Sequence, residues 1–178
     1  MRLVKRLVMT TVTFDGAKVT LKGSLPAVGS KAPDFTLCGA DLSEFTLSKN
    51  LGKVYVLSIV PSLDTGVCAA SARKFNQQAA SLEGVEVLCI SEDLPFASGR
   101  FCQAEGIEHV RTLSDFRHDG NFGEDYGVAI IDSPLRGLLS RAIVVIDKEG
   151  KVAYTQLVQE ITHEVDYEKA LEAAKACL

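Results

Sequence analysis

The residues best suited to chemistry lie in the stretch Pro61-Ser62-Leu63-Asp64-Thr65-Gly66-Val67-Cys68. It follows an apolar run of strand length, Val54 to Val60, and precedes residues at helical spacing, so it carries a thiol from the end of a buried strand to the first turn of a helix. Open α/β sheets bind ligands at that end of their strands. A helix N-terminus offers unpaired N–H groups and about half a positive charge, and both favour thiolate, the nucleophilic form, over thiol. Thr65, three residues before Cys68, can cap the helix with its hydroxyl or set that hydroxyl beside the sulfur. On this bare pattern Cys68 is as readily a small buried hydrophobe as a nucleophile.

Arg141 directly precedes the apolar run Ala142 to Ile146, where a charge needs a partner. A thiolate is one such partner and a surface carboxylate another. Pro61 by itself reads as loop punctuation. Cys102 falls on a helix next to Phe101, where core packing is the plain alternative to chemistry. Of the remaining cysteines, Cys89 sits inside an apolar strand and Cys38 in a short apolar stretch, and both read as inert. Cys177, beside the C-terminus, could bond to a second chain on oxidation. His109, His118 and His163 are expected to face solvent and are assigned no chemistry.

The elements that must position these residues are readable from periodicity. Val12, Phe14, Val19 and Leu21 alternate around Asp15-Gly16, the signal for a hairpin with a tight turn, so residues 1–30 are an extension and a β-hairpin. A link, Leu25 to Gly29, leads to Lys31-Ala32-Pro33-Asp34-Phe35, where the main body begins. Val54 to Val60 is the candidate central strand, since a nearly continuous apolar run suits a strand buried on both faces. Phe75, Ala79 and Leu82 predict a helix over 68–82, Val85 to Ile90 a strand, and Phe96 to Glu105 a second helix. Ala142 to Ile146 and Val152 to Leu157 predict an antiparallel hairpin about Asp147-Lys148-Glu149-Gly150, followed by a helix from about Asp166 to Cys177. The chain 1–178 therefore reads as one α/β domain with a mixed central sheet flanked by helices.

Composition narrows the function classes. A formal charge of -4 with mixed signs provides no basic stripe, so nucleic acid is not an expected partner. No apolar run approaches the roughly 20 residues that span a bilayer, and Met1 to Val8 has basic residues but no apolar stretch or cleavage site, so no membrane and no secretory signal are expected. Met9 is an alternative start. Five widely spaced cysteines suit thiols in a reducing, cytoplasmic setting better than structural disulfides. There is no C-x-x-C, and no histidine stands at zinc-ligand spacing from a cysteine pair, which argues against a metal site.

The stretch Pro61 to Cys68 resembles the peroxidatic-site signature of peroxiredoxins, Pro-x-x-x-Thr-x-x-Cys, in the form seen in bacterial thiol peroxidases. The resemblance extends through the N-terminal hairpin, Ser71 to Gln77, Leu94-Pro95-Phe96 to Arg100-Phe101-Cys102, Tyr126 to Ile130, and Ser140-Arg141-Ala142 leading into Val144 to Asp147. It implies a thioredoxin-like fold and an enzyme that reduces hydrogen peroxide and alkyl hydroperoxides, with an antioxidant role. It implies further that Cys68 is the peroxidatic cysteine, oxidised to a sulfenic acid, and Cys102 the resolving cysteine of the same chain. By the same resemblance Thr65 bonds thiolate and peroxide, Pro61 shields the site from water, and Arg141 stabilises the thiolate and polarises the peroxide. Thioredoxin as reductant, a homodimer, a preference for alkyl peroxides, and no metal or organic cofactor are also implied. Leu63, Val67 and Phe101 are compatible with organic substrates.

Cys68 and Cys102 are 34 residues apart on different helices, and a disulfide needs Cα atoms within about 7 Å, so resolution is expected to unwind the Cys68 turn wherever reduced packing holds the pair further apart. The alternatives are a thioredoxin-like disulfide oxidoreductase, which the missing C-x-x-C disfavours, and a peroxide-sensing redox switch, which need react only once. A Cys-His hydrolase is more distant, because no histidine is paired with Cys68 in the sequence.

Overall fold

The computed structural model describes residues 8–178, so a start at Met9 and the reading of Met1 to Val8 as an extension fall almost wholly outside the described residues. The chain begins with the hairpin, β1 (Met9–Phe14) against β2 (Ala17–Lys22), paired from Met9 with Lys22 to Phe14 with Ala17. Asp15 and Gly16 take φ of 50° and 78°, the paired positive angles that a two-residue hairpin turn needs.

The main sheet is then laid down out of sequence order. β3 (Thr36–Gly39) and β4 (Glu44–Thr46) form one edge, and β5 (Val54–Ile59) runs through the middle. After α1 (Gly66–Ala79) come β6 (Val85–Ser91), α2 (Pro95–Glu105) and β7 (Val110–Ser114). The short α3 (Phe122–Asp125) and β8 (Ala129–Ile130) follow, then β9 (Ala142–Ile146), β10 (Val152–Leu157) and α4 (Tyr167–Ala176). The strand order is β10-β9-β5-β6-β7-β3-β4, with β5, β6 and β7 parallel to one another and β9, β10, β3 and β4 joined antiparallel. This is the mixed sheet expected from the sequence, and β8 adds to β2 to make the hairpin a three-stranded sheet.

All six residues of β5 are buried, because strands on both sides and packing on both faces leave it no solvent edge. Its pleat sends alternate residues to opposite cores. Val54 and Val56 join a cluster with Phe75 of α1 and Ala170 and Leu171 of α4, whereas Tyr55, Leu57 and Ile59 join Phe35, Phe122 and Tyr126 on the other face. The site grows out of the first of these clusters.

The boundaries differ from the sequence reading where caps decide them. α1 starts at Gly66, two residues before the expected start, because Thr65 is in extended conformation and caps the helix, which places Cys68 at its third position. It ends at Ala79, so Leu82 packs from beyond the helix. β3, β4, β7, β8 and α3 were not anticipated. Gly127, at φ 67°, allows the link from the hairpin to pass closely: a Cβ there would lie 2.1 Å from the backbone carbon of Ser24. Among the described residues no helix is long and apolar enough to cross a membrane.

Candidate active site

At the end of β5 the chain turns through Pro61 to Thr65 and enters α1. Thr65 Oγ1 accepts the backbone N–H of Cys68 at 3.3 Å and donates to the Ser62 carbonyl at 3.2 Å. Of the two roles open to Thr65 in the sequence, the hydroxyl is thus engaged as the helix cap. Cys68 is fully buried, and Pro61 and Leu63 are buried beside it in the loop.

Arg141 reaches this sulfur from 73 residues away in the chain. Its Nη1 donates to Cys68 Sγ at 3.0 Å and its Nε donates to the Ile161 carbonyl at 2.9 Å. Arg141 is only 2% exposed, and none of the ion pairs among the described residues involves it, so the surface salt bridge allowed by the sequence is not formed. A buried guanidinium is costly unless it is paired, and here the group facing it is a sulfur able to carry negative charge. A charge-assisted hydrogen bond of this kind strengthens as the sulfur becomes anionic.

Cys102 lies in the last turn of α2, whose end closes with the N–H groups of Gly106 and Ile107 on the Cys102 carbonyl. The half-buried Phe101 and Cys102 pack against the same apolar cluster that contains Cys68. Burial pushes the Cys102 thiol up, with a hydrogen bond to Thr112 opposing it. Cys89 on β6 is buried in that cluster too, and burial drives its thiol far up. Cys89 is therefore a neutral thiol, sharing one apolar cluster with the other two. Cys38 is buried in β3, Cys177 is half-buried at the end of α4, and all five cysteines are free.

Sequence reasoning missed Asp93. Its carboxyl accepts from Ser62 Oγ at 2.8 Å, from the Leu63 N–H at 2.7 Å and from Ser91 Oγ at 2.9 Å. It also missed the buried hydrogen bond at 2.7 Å between the hydroxyls of Ser71, one turn past Cys68, and Tyr167 at the start of α4. A cleft of about 230 Å³ beside the loop is lined by Leu63, Asp64, Asp93, Ala97 and Phe101 among others. A more spacious groove, about 700 Å³, runs along the hairpin and the link, away from the Cys68 loop, and neither cavity is lined by a cysteine.

The three histidines are exposed, as expected. His118 nevertheless stands beside Glu92 and Asp115, the three presenting ligand atoms within 4.8 Å of one another at the ends of β6 and β7. Burial, followed by the charge and hydrogen bond of Asp115, pushes Glu92 up to about 8. Glu92 thus holds in the folded state a proton that the unfolded chain loses near pH 4.5. Stability then falls as pH rises from about 4.5 to about 8, and the full penalty persists above that. The expected result for Glu92→Gln is a Tm close to that of the parent at pH 4.5 and a gain that grows to its maximum above pH 8, read by thermal melts across that range.

Comparison with known proteins places these features in a family. The Redoxin family model matches residues 27–171. A thiol peroxidase of Corynebacterium glutamicum is 53% identical over 165 residues, covering 93% of this chain and 99% of that protein. A thiol peroxidase of Halalkalibacterium halodurans is 54% identical over 170 residues, covering 96% and 100%. The crystal structure of a peroxiredoxin-like protein from Aquifex aeolicus superposes with a TM-score of 0.89 at 44% identity, over 96% of this chain and 99% of that one. With a thioredoxin-like sheet, a cysteine in the first turn of α1 and near-complete coverage of these relatives, the chain belongs to the redoxin family and, within it, to the thiol peroxidases.

Proposed function

We propose that the chain reduces hydrogen peroxide and alkyl hydroperoxides through Cys68, with Cys102 as resolving cysteine and thioredoxin as the source of electrons. The observation that carries this reading is the contact at 3.0 Å between Arg141 Nη1 and Cys68 Sγ, in the first turn of a helix capped by Thr65. The guanidinium and the helix N-terminus together favour an anionic sulfur. That sulfur attacks one peroxide oxygen, the O–O bond breaks, and the other oxygen leaves with its electron pair to be protonated as alcohol or water. Arg141 retains a further nitrogen, Nη2, which can face the departing oxygen as charge develops there. Thr65 holds the backbone of Cys68 through its cap, and Pro61 walls the sulfur from solvent.

The Cys68 sulfenic acid then condenses with the Cys102 thiol, releasing water and forming an intramolecular disulfide. A dithiol protein exchanges with that disulfide and restores both thiols. Burial keeps Cys102 protonated until it is needed, which fits a residue that attacks second. Leu63 and Phe101, which belong to or pack against the apolar cluster containing Cys68, support a preference for alkyl peroxides. The working form proposed is a cytoplasmic homodimer in which each chain acts as one domain, without metal or organic cofactor.

The test is non-reducing peptide mapping of the fully reduced protein seconds after one equivalent of tert-butyl hydroperoxide. A Cys68–Cys102 linkage is the expected product. Cys68 arrested as sulfenic acid, or joined to Cys177 of another chain, overturns the intramolecular mechanism, and an unreacted Cys68 overturns the peroxidase assignment of this residue. Steady turnover with thioredoxin separates the enzyme from a sensor, which reacts once.

A further inference from the structure

We infer that Asp93 is a positioning residue that clamps the Cys68 loop to the Cys102 helix and thereby sets the balance between peroxide reduction and disulfide formation. The inference rests on the reading of Cys68 as nucleophile and Cys102 as its partner, and adds to it the group that holds the two segments in register.

Asp93 lies in the connection from β6 to α2, one residue before the Leu94 cap and nine before Cys102. Its Oδ1 accepts from Ser62 Oγ at 2.8 Å, and its Oδ2 accepts from the Leu63 N–H at 2.7 Å and from Ser91 Oγ at 2.9 Å. Ser91 Oγ in turn accepts the Asp93 N–H at 3.2 Å, and Ser62 Oγ accepts the Asp64 N–H at 3.2 Å. One carboxyl therefore satisfies donors from both sides of a junction between the loop that leads into α1 and the turn that leads into α2. The Leu63 N–H has no strand or helix partner, and an unpaired buried donor is unfavourable, so the loop is held at this point in one conformation.

The two half-reactions place opposite demands on that loop. Peroxide reduction needs Thr65, Cys68 and Arg141 held together, with the first turn of α1 intact. Disulfide formation ties the fully buried Cys68 sulfur to Cys102 instead, and in this proposal that draws it from Arg141 and loosens the turn that Thr65 caps. A tether between the loop and the neck of α2 favours the first arrangement and resists the second. The same tether sets exposure to overoxidation, because a sulfenic acid that remains in the peroxide-reactive arrangement can take a second oxygen from peroxide, giving sulfinic acid and alcohol, instead of condensing with Cys102.

The experiment uses the reduced full-length chain as wild type, Asp93→Asn and Ser62→Ala. Quench-flow with intact-mass detection reads the second-order rate of Cys68 oxidation by tert-butyl hydroperoxide, and peptide mapping at graded peroxide reads the ratio of Cys68 sulfinic acid to Cys68–Cys102 disulfide. For Asp93→Asn the expected result is an oxidation rate lower by roughly three- to tenfold, the equivalent of about one hydrogen bond, together with a several-fold lower sulfinic-to-disulfide ratio. Ser62→Ala, which removes one bond and leaves Asp93 in place, moves both readouts the same way and less far, and carries the test if the Asp93 variant does not fold. A variant that slows oxidation but leaves the ratio unchanged gives Asp93 a merely structural role and overturns the proposal, as do two variants indistinguishable from wild type. Wild-type protein that forms no Cys68–Cys102 disulfide overturns the parent reading and the clamp with it, an outcome visible before any variant is made.

Discussion

Replacing Cys68 by serine removes peroxide turnover down to the uncatalysed background, whereas replacing Cys102 by serine leaves one equivalent of peroxide consumed per chain and no sustained cycle. The asymmetry follows from the environments of the two sulfurs. Cys68 faces the Arg141 guanidinium at the N-terminus of α1, and a serine hydroxyl there is not ionised and is a poor nucleophile toward an O–O bond. The smaller hydroxyl also loosens the buried contact that Arg141 Nη1 makes with Cys68 Sγ at 3.0 Å, so Cys68→Ser is expected to lower Tm as well. Arg141 and Thr65 bond to Cys68, Ile161 and Ser62 rather than to Cys102, so loss of Cys102 spares the first oxidation. The sulfenic acid then has no resolving partner, and only a second equivalent, supplied as peroxide is raised beyond the first, carries it on to sulfinic acid. Peroxide consumption per chain and intact mass, followed together, check the pair. A Cys102→Ser variant that keeps full thioredoxin-linked turnover transfers the resolving role elsewhere, with Cys89 next in place and Cys177 as the intermolecular candidate.

How much of this was legible in the sequence depended on whether a local pattern or a long-range meeting of segments was at stake. The hairpin, β5, β6, α1, α2, the β9–β10 pair and α4 all follow from runs long enough to show a period, and their edges move by one to three residues, the helix starts being fixed at Thr65, Leu94 and Asp166. β7 escaped because Thr112 and Ser114, both buried, break its apolar pattern, and β3 and β4 are too short to show one. Cys68 at a helix start was readable directly. That Arg141 needs a partner was readable from the apolar run after it, but the choice of the Cys68 sulfur over a surface carboxylate came from the family resemblance, since nothing in a spacing of 73 residues points there. Asp93 lies immediately before a helix, where an acidic residue is ordinary, and its partners come from a loop about thirty residues earlier that parallel pairing of β5 with β6 brings alongside. Such residues become visible only once the strand order is known.

The second large effect is expected at Arg141. Arg141→Gln removes a charge-assisted hydrogen bond of about 1.5–3 kcal/mol, equivalent to roughly a 10- to 150-fold loss in kcat/KM for peroxide. Arg141→Lys keeps the charge, yet a lysine cannot at once donate to the Ile161 carbonyl through one nitrogen and to the Cys68 sulfur through another, as Arg141 does with Nε and Nη1. It should therefore recover only part of the loss. The segment that receives Nε also anchors the hairpin, since the Ile161 N–H donates to the Thr13 carbonyl and the Thr13 N–H to the Gln159 carbonyl. Arginine is thus held by the same strap that holds β1, and its guanidinium is aimed before substrate arrives, which is the condition under which fixed charge is most effective in a dry site. Rates for the two variants against wild type, measured with thiol content verified and Tm recorded for each, separate the contributions. Lysine equal to arginine makes charge alone sufficient, lysine no better than glutamine makes the forked geometry decisive, and glutamine equal to arginine removes Arg141 from the chemistry.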